Sequence, residues 1–138
     1  MRYLAVDYGN KRTGLAICDE QQIIVSPYDV IPTDTQIYQR IVAIVSENEV
    51  GTVIVGLPLN MDGSRGRQAE LVLDFVEDLK EYIDVPVMLQ DERLSSFSAE
   101  QKFKAANGKR REKKEKLDAL AAAQILQEFL DKKDEKAN

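Results

Sequence analysis

The sequence contains no histidine and only one cysteine, Cys18, and each scarcity excludes a kind of chemistry. Without histidine, neither a Ser-His-Asp nor a Cys-His mechanism is possible, and a histidine-ligated zinc or iron site is excluded as well. A single cysteine cannot form an internal disulfide or a multi-cysteine zinc site, which suits a reducing cytoplasm. Any chemistry must therefore come from carboxylates, hydroxyl groups and cationic side chains.

Long hydrophobic runs are also missing. No stretch approaches the roughly 20 apolar residues that a membrane span needs, and the apolar run at residues 3–6 is too short for the core of a signal peptide. We therefore expect a cytoplasmic protein with no membrane partner. The chain has 138 residues, of which 43% are hydrophobic, so residues 1–138 are expected to form one domain with its own core.

Charge is distributed unevenly along the chain. The net formal charge is −5, from 19 Lys and Arg against 24 Asp and Glu. Residues 1–101 carry a balance of −9, residues 102–116 a balance of +6 and residues 117–138 a balance of −2. The basic segment can bind a nucleic-acid backbone. A charge run of this kind is more often a solvated linker, so the segment alone leaves both interpretations open.

The hydrophobic pattern predicts an α/β protein with a mixed sheet. Residues 3–6 and 13–18 read as a hairpin around a turn at Asn10-Lys11-Arg12, and a third strand over 23–25 or as far as 31 contains Pro27. Proline at that place predicts an edge or bulged strand. These three strands are expected to be antiparallel.

The second half of the chain alternates strands with helices. Residues 52–56 and 86–89 are apolar without alternation, which is typical of strands covered on both faces and paired in parallel through helical crossovers. Apolar residues at helical spacing predict helices around 37–45, 69–83 and 115–132. Ser96 or Ser98 can cap a further short helix that ends near residue 106. Residues 57–66 and 107–116 are predicted to be loops.

Acidic residues fall where sites form in such folds. Asp7 ends the first strand, Asp91 and Glu92 follow the last strand, and Asp118 opens the final helix. Sites gather at the carboxyl ends of parallel strands, and an all-oxygen ligand set is what Mg²⁺ or Mn²⁺ prefers. Two such ions can activate water and stabilise the leaving oxygen of a phosphodiester. Acidic residues also occur at strand ends and helix N-termini as ordinary caps, so their placement alone does not show that they form a metal site.

Two loops carry cations that could contact phosphate. The turn after Asp7 holds Lys11 and Arg12, and residues 56–67 hold Arg65 and Arg67 before a helix that Ser64 could cap. Each loop is also consistent with a purely structural turn.

Four motifs, in this order, resemble the YqgF/RuvX family of pre-16S rRNA nucleases, also described as Holliday-junction-resolvase-like proteins. They are AVDYGNKRTGLAICD at residues 5–19, VGLPLNMDGSRG at 55–66, DERLSS at 91–96 and KEKLDALAAAQIL at 114–126. The resemblance covers nearly the whole chain, and the combination of four motifs is highly specific.

The resemblance implies an RNase H-like fold with a five-stranded mixed sheet flanked by helices. It implies a metal-dependent hydrolase acting on ester bonds, in which Asp7, Glu92 and Asp118 are catalytic and hold Mg²⁺ or Mn²⁺. Asp91 is a weaker candidate, because successive side chains on a strand point to opposite faces. The expected substrate is structured RNA, namely pre-16S rRNA in a small ribosomal subunit precursor. The cations expected to bind it are Lys11, Arg12, Arg65, Arg67, Arg93, Lys109, Arg110, Arg111, Lys113 and Lys114.

Two alternatives stay open. The same carboxylates could resolve branched DNA, because both nucleic acids would be held mainly through phosphates. The other alternative is a non-catalytic ribosome-assembly or nucleotide-binding module. The turn after the first strand resembles the phosphate loop of actin-like ATPases, but those proteins need a second domain to close over the nucleotide.

Overall fold

The computed structural model describes residues 1–93 and 110–137, and the elements in them follow the predicted order. They are β1 (Arg2–Asp7), β2 (Arg12–Cys18), β3 (Val25–Pro32), α1 (Ile37–Glu47), β4 (Val50–Leu59), α2 (Arg67–Lys80), β5 (Val87–Arg93) and α3 (Arg110–Ala137). None of the helices in this described part is long and apolar enough to cross a membrane.

The strands form one five-stranded sheet in the order β3-β2-β1-β4-β5. β1 pairs antiparallel with β2, which pairs antiparallel with β3, whereas β4 is parallel to both β1 and β5. The predicted mixed sheet is therefore confirmed. β3 lies at one edge, as Pro27 predicts, and its register against β2 shifts between Leu15 and Ala16. An edge position suits proline because it cannot donate to a ladder on both sides.

Side chains of β1 alternate between the two faces of the sheet. Leu4 and Val6 are fully buried in a core cluster with α1 and α2, whereas Tyr3 and Ala5 are buried in a second cluster with α3. This alternation has the period of two expected of a strand. It places Asp7, the last residue of β1, on the face that α3 covers.

Two predicted strands are longer than expected. β4 continues through Leu59, into the segment predicted to be a loop, and β5 continues through Glu92 to Arg93. Pairing explains both extensions, since Leu57 lies opposite Asp91 and Leu59 lies opposite Arg93 in a continuous parallel ladder. Because β5 is regular to its end, Asp91 and Glu92 point to opposite faces.

The helix boundaries also correct the sequence prediction. α3 begins at Arg110 rather than near 115, so residues 110–116 are helical and not a loop; Arg, Lys and Glu are good helix formers. The N-cap of α2 is Gly66 and not Ser64, whose hydroxyl instead donates to Asp62 Oδ1 at 2.6 Å. The short helix predicted from Ser98 lies outside the described residues.

Candidate active site

A cleft of about 440 Å³ lies at the carboxyl ends of β1 and β4, where α2 begins and α3 passes over the sheet. Its walls come from four parts of the chain that are far apart in sequence. The lining residues are Asp7, Tyr8, Gly9, Asn10, Arg12, Pro58, Asn60, Gly66, Arg67, Gln68 and Asp118. The position is the one at which open α/β sheets bind ligands.

Two of the three predicted catalytic acids, Asp7 and Asp118, line this cleft together. Asp7 lies directly opposite Gly14 in the β1–β2 ladder. A Cβ atom at Gly14 would collide with the main-chain carbonyl of Asp118, so α3 approaches the sheet at this point closely enough to need glycine. Gly14 therefore brings Asp118 of α3 beside Asp7 of β1.

Arg12 forms an ion pair with Asp118 inside the cleft. The Arg12 Nε donates to Asp118 Oδ2 at 3.0 Å, and the two side chains are 35% and 29% exposed. The pair joins the first residue of β2 to α3. Arg67, at the start of α2, is the other cation that lines the cleft within the described side chains.

Glu92 lies beside the cleft rather than in its lining. It is partly buried on the α3 side of β5, and its buried Oε1 accepts no hydrogen bond from residues 1–93 or 110–137. Burial raises the pKa of Glu92 to about 9, helped by a hydrogen bond with Glu128 and by the negative charges of Glu128 and Asp7. The positive charge of Lys132 acts in the opposite direction and lowers the pKa of Glu92.

α3 packs against the face of the sheet on which the Glu92 side chain lies. A Cβ atom at Gly56 of β4 would meet the Ile125 side chain and would lie 3.4 Å from Glu92 Cγ. Glu128, three residues after Ile125, contributes the neighbouring carboxyl group. The sequence analysis missed Glu128; its helical spacing from Ile125, on the buried face of α3, is the signal that would have located it.

The remaining predicted residues are not all gathered at the cleft. Lys11 and Arg65 are exposed and do not line it, and Asp91 is exposed on the other face of β5. Arg93 ends β5, and Arg110, Arg111, Lys113 and Lys114 belong to the first turns of α3. Lys109 lies outside the described residues. Over residues 1–93 and 110–137, no three acidic, cysteine or histidine side chains are grouped closely enough to hold a metal ion.

The sheet order and the helix that covers one face of the sheet are those of the RNase H-like fold. Two solved structures share this fold: Thermus thermophilus RuvC in complex with a Holliday junction substrate, and the fowlpox virus Holliday junction resolvase. The first has a TM-score of 0.56 and 16% identity and covers 94% of each chain. The second has a TM-score of 0.53 and 16% identity and covers 96% of this chain and 99% of the other.

Sequence relatives identify the family. The family model described as "RuvX: Holliday junction resolvase" matches residues 1–132. A protein of Anaeromyxobacter sp. strain Fw109-5 named "Putative pre-16S rRNA nuclease" is 45% identical, covering 95% of this chain and 97% of its own length. A protein of the same name from Geobacillus kaustophilus is 39% identical, covering 96% of this chain and 99% of its own length. The chain belongs to the RuvX family, and it is a nuclease, a hydrolase of phosphodiester bonds.

Proposed function

We propose that this chain is a divalent-cation-dependent endonuclease that processes the 5′ end of pre-16S rRNA, acting in the cytoplasm as a single domain. The observation that carries the proposal is the pairing of Asp7 and Asp118 in one cleft, held together through Gly14. The names of the relatives support the choice of substrate.

The donor chemistry of the site fits Mg²⁺ or Mn²⁺. Asp7, Asp118 and Glu92 offer only oxygen ligands, and no group of the described residues donates to the buried Oε1 of Glu92. Asp7 and Asp118, which line the cleft together, would hold the cation, and binding would draw in the Glu92 carboxyl from its place beside the cleft. The cation would supply an activated water and charge neutralisation at the scissile phosphate. Glu92 must give up its proton to act as a ligand, because ligating carboxylates are deprotonated.

The rest of the cleft can bind the nucleic-acid backbone. Arg67 lines the cleft at the start of α2, and no side chain of the described residues caps the first-turn amide groups of this helix. Uncapped amides and the helix dipole favour a phosphate at this end. Exposed Arg65, just before the helix, and Lys11, beside the first turn, extend the positive charge along the same edge. The backbone of the substrate would therefore pass the carboxylates along a basic border.

The test is cleavage of a pre-16S rRNA fragment in Mg²⁺ or Mn²⁺ by the wild type and by Asp7→Asn. The variant is expected to lose at least about 100-fold in kcat, since several kcal/mol of transition-state stabilisation disappear. Asp74→Asn, which changes an exposed acid of α2, is the matched control and should cleave normally. Equal cleavage by the wild type and by Asp7→Asn preparations of unchanged melting temperature would reject the assignment.

Branched DNA is the second candidate substrate, favoured by the description of the matching family model. Phosphate contacts alone do not separate the two nucleic acids. A competition between junction DNA and precursor rRNA at one fixed salt concentration decides between them, and we expect the RNA to be cleaved preferentially. Preferential cleavage of the junction would reverse the substrate assignment. RNA binding without cleavage would instead indicate an assembly factor without catalysis.

A further inference from the structure

The motif pattern predicts that Arg12 contacts phosphate, yet its guanidinium is already engaged by an acid of the candidate site. Its Nε donates to Asp118 Oδ2 at 3.0 Å across the cleft. Arg67, the other arginine in the cleft lining, has no ion pair with a described carboxylate. The two arginines of the cleft therefore stand in different electrostatic situations.

The main chain of Arg12 is fixed by the turn before it and by its pairing with β3. The turn that precedes it is so tight that a Cβ atom at Gly9 would collide with the Arg12 carbonyl. The main chain of Lys11 and Arg12 is also held by the end of β3. The Thr33 amide donates to the Lys11 carbonyl at 3.0 Å, and Arg12 lies opposite Pro32 in the β2–β3 ladder. The guanidinium therefore extends from a fixed backbone position toward the cleft.

The main chain of Asp118 is fixed independently, by its contact with Gly14 of β2. What that contact leaves undetermined is the rotation of the carboxylate. The hydrogen bond from Arg12 engages one of the two oxygens, Oδ2, and so selects a rotamer. Both partners are about a third exposed, so the ion pair should add little to stability. Its main effect is orientation.

We propose that Arg12 is a positioning residue, which holds the Asp118 carboxylate beside Asp7 instead of binding a phosphate of the substrate. The inference rests on the proposed function, because it assigns Asp118 to the reaction. A paired guanidinium contributes little net charge to the substrate, whereas each cation that neutralises a phosphate releases counterions and steepens the salt dependence of binding. The two roles therefore differ in a measurable quantity.

The first experiment measures RNA binding over a series of salt concentrations in EDTA, so that no cleavage occurs. Arg12→Met and Arg67→Met each remove one guanidinium while keeping an extended side chain. Arg67→Met should weaken binding and lower the slope of log affinity against log salt by about 0.7–0.9. Arg12→Met should leave the slope at its wild-type value, and the affinity should fall less than in Arg67→Met, because only the uncompensated charge of Asp118 opposes binding.

The second experiment measures steady-state cleavage of the same RNA with Mn²⁺. Arg12→Met should lower kcat by about 10- to 100-fold with KM unchanged, the usual cost of losing a residue that orients a ligand. Arg12→Lys should recover part of the loss, because an ammonium group can still donate to Asp118. The matched control is Arg40→Met, which breaks the 2.6 Å ion pair between Arg40 of α1 and Asp34 just before that helix, outside the cleft, and should have no effect.

A drop in the salt slope of Arg12→Met by about one phosphate contact would overturn the inference. A rise in KM with kcat unchanged, or a wild-type kcat in Arg12→Met, would overturn it as well. A fall in kcat accompanied by a large fall in melting temperature would indicate a structural role instead. The wild type reports separately on the proposed function: if it binds RNA but does not cleave it, the function fails, whatever the salt slope of Arg12→Met shows.

Discussion

Gly14 of β2 lies directly against the main-chain carbonyl of Asp118 in α3, and opposite Asp7 in the sheet. No side chain separates the helix from the strand at this point. The spacing between the two acids of the cleft is therefore set by a glycine that carries no chemistry of its own. The close approach makes the candidate site sensitive to one methyl group.

Gly14→Ala should damage both stability and activity. The added Cβ meets only main-chain atoms of Asp118 and Ala119, which cannot rotate away, so α3 must shift. Overpacking of this kind costs about 1–3 kcal/mol, which corresponds to a fall in Tm of roughly 3–12 °C. Because the shift moves Asp118 from Asp7, kcat for RNA cleavage should fall as well. Thermal denaturation and steady-state cleavage measure the two effects.

Gly51→Ala is the matched control for that variant. A Cβ atom at Gly51 would also be crowded, but by the side chain of Met1, which is 58% exposed and can move aside. We expect its Tm and kcat to stay near the wild type. Wild-type kcat in Gly14→Ala would contradict the role given to this contact.

The metal-free protein should lose stability as pH rises, because of Glu92. The folded protein raises the pKa of Glu92 to about 9, whereas the carboxyl of the unfolded chain ionises near the ordinary glutamate pKa of 4.5. Between these values the unfolded state binds fewer protons, so the free energy of unfolding falls as pH rises through this window. Glu92→Gln removes this dependence. Its Tm in EDTA should match the wild type near pH 4.5 and exceed it by at least about 2 °C at pH 8.5.

A wild-type Tm that rises between pH 5 and 8.5 relative to Glu92→Gln would contradict the raised pKa. The comparison uses the difference between the two proteins, so the titrations of other groups cancel. Addition of Mn²⁺ should reduce the difference or reverse it, because a bound cation favours the ionised form of Glu92.

Glu128→Gln should lower the pKa of Glu92. Glu128 raises it through a hydrogen bond and through its negative charge, and the amide of glutamine removes the charge and can donate to the ionised carboxylate. The pH dependence of Tm in EDTA should therefore become shallower than in the wild type. Asp131→Asn, an exposed acid three residues further along α3, should leave the dependence unchanged. An unchanged profile in Glu128→Gln would show that burial alone sets the pKa.

The sheet could be predicted from the sequence because its signals are local. The apolar runs of β1, β2 and β4, and the proline of β3, identify strands and an edge within a few residues. The first turns of α3 could not be predicted in the same way. Eight cations within residues 102–116 suggest a solvated loop, while their helix propensity is favourable and residues 110–116 continue the helix that packs on the sheet.

The site is less visible in the sequence, because its decisive contacts join distant segments. Asp7 and Asp118 carry motif signals, but nothing local in the chain indicates that Gly14 brings them together. The partner of Arg12 is 106 residues away in the sequence, and the partner of Glu92 lies on the last helix. From the sequence alone, Arg12 is therefore easily assigned to the substrate and Glu128 to the solvent. Regular pairing of β5 with β4, in contrast, puts Asp91 and Glu92 on opposite faces of the sheet, with Glu92 on the side of α3.

An aromatic stack supports the other wall of the cleft. Tyr8, which follows Asp7 and lines the cleft, stacks on the buried Phe75 with ring centroids 4.2 Å apart. Phe75→Leu keeps an apolar side chain but removes the stacking surface, so we expect a loss of about 1–2 kcal/mol in the free energy of unfolding and weaker cleavage. Tyr82→Leu, at the exposed outer end where Tyr82 stacks on Tyr38, should cost less and leave cleavage intact. Denaturant unfolding and cleavage rates measure both variants, and normal cleavage by Phe75→Leu would show that Tyr8 is held without the stack.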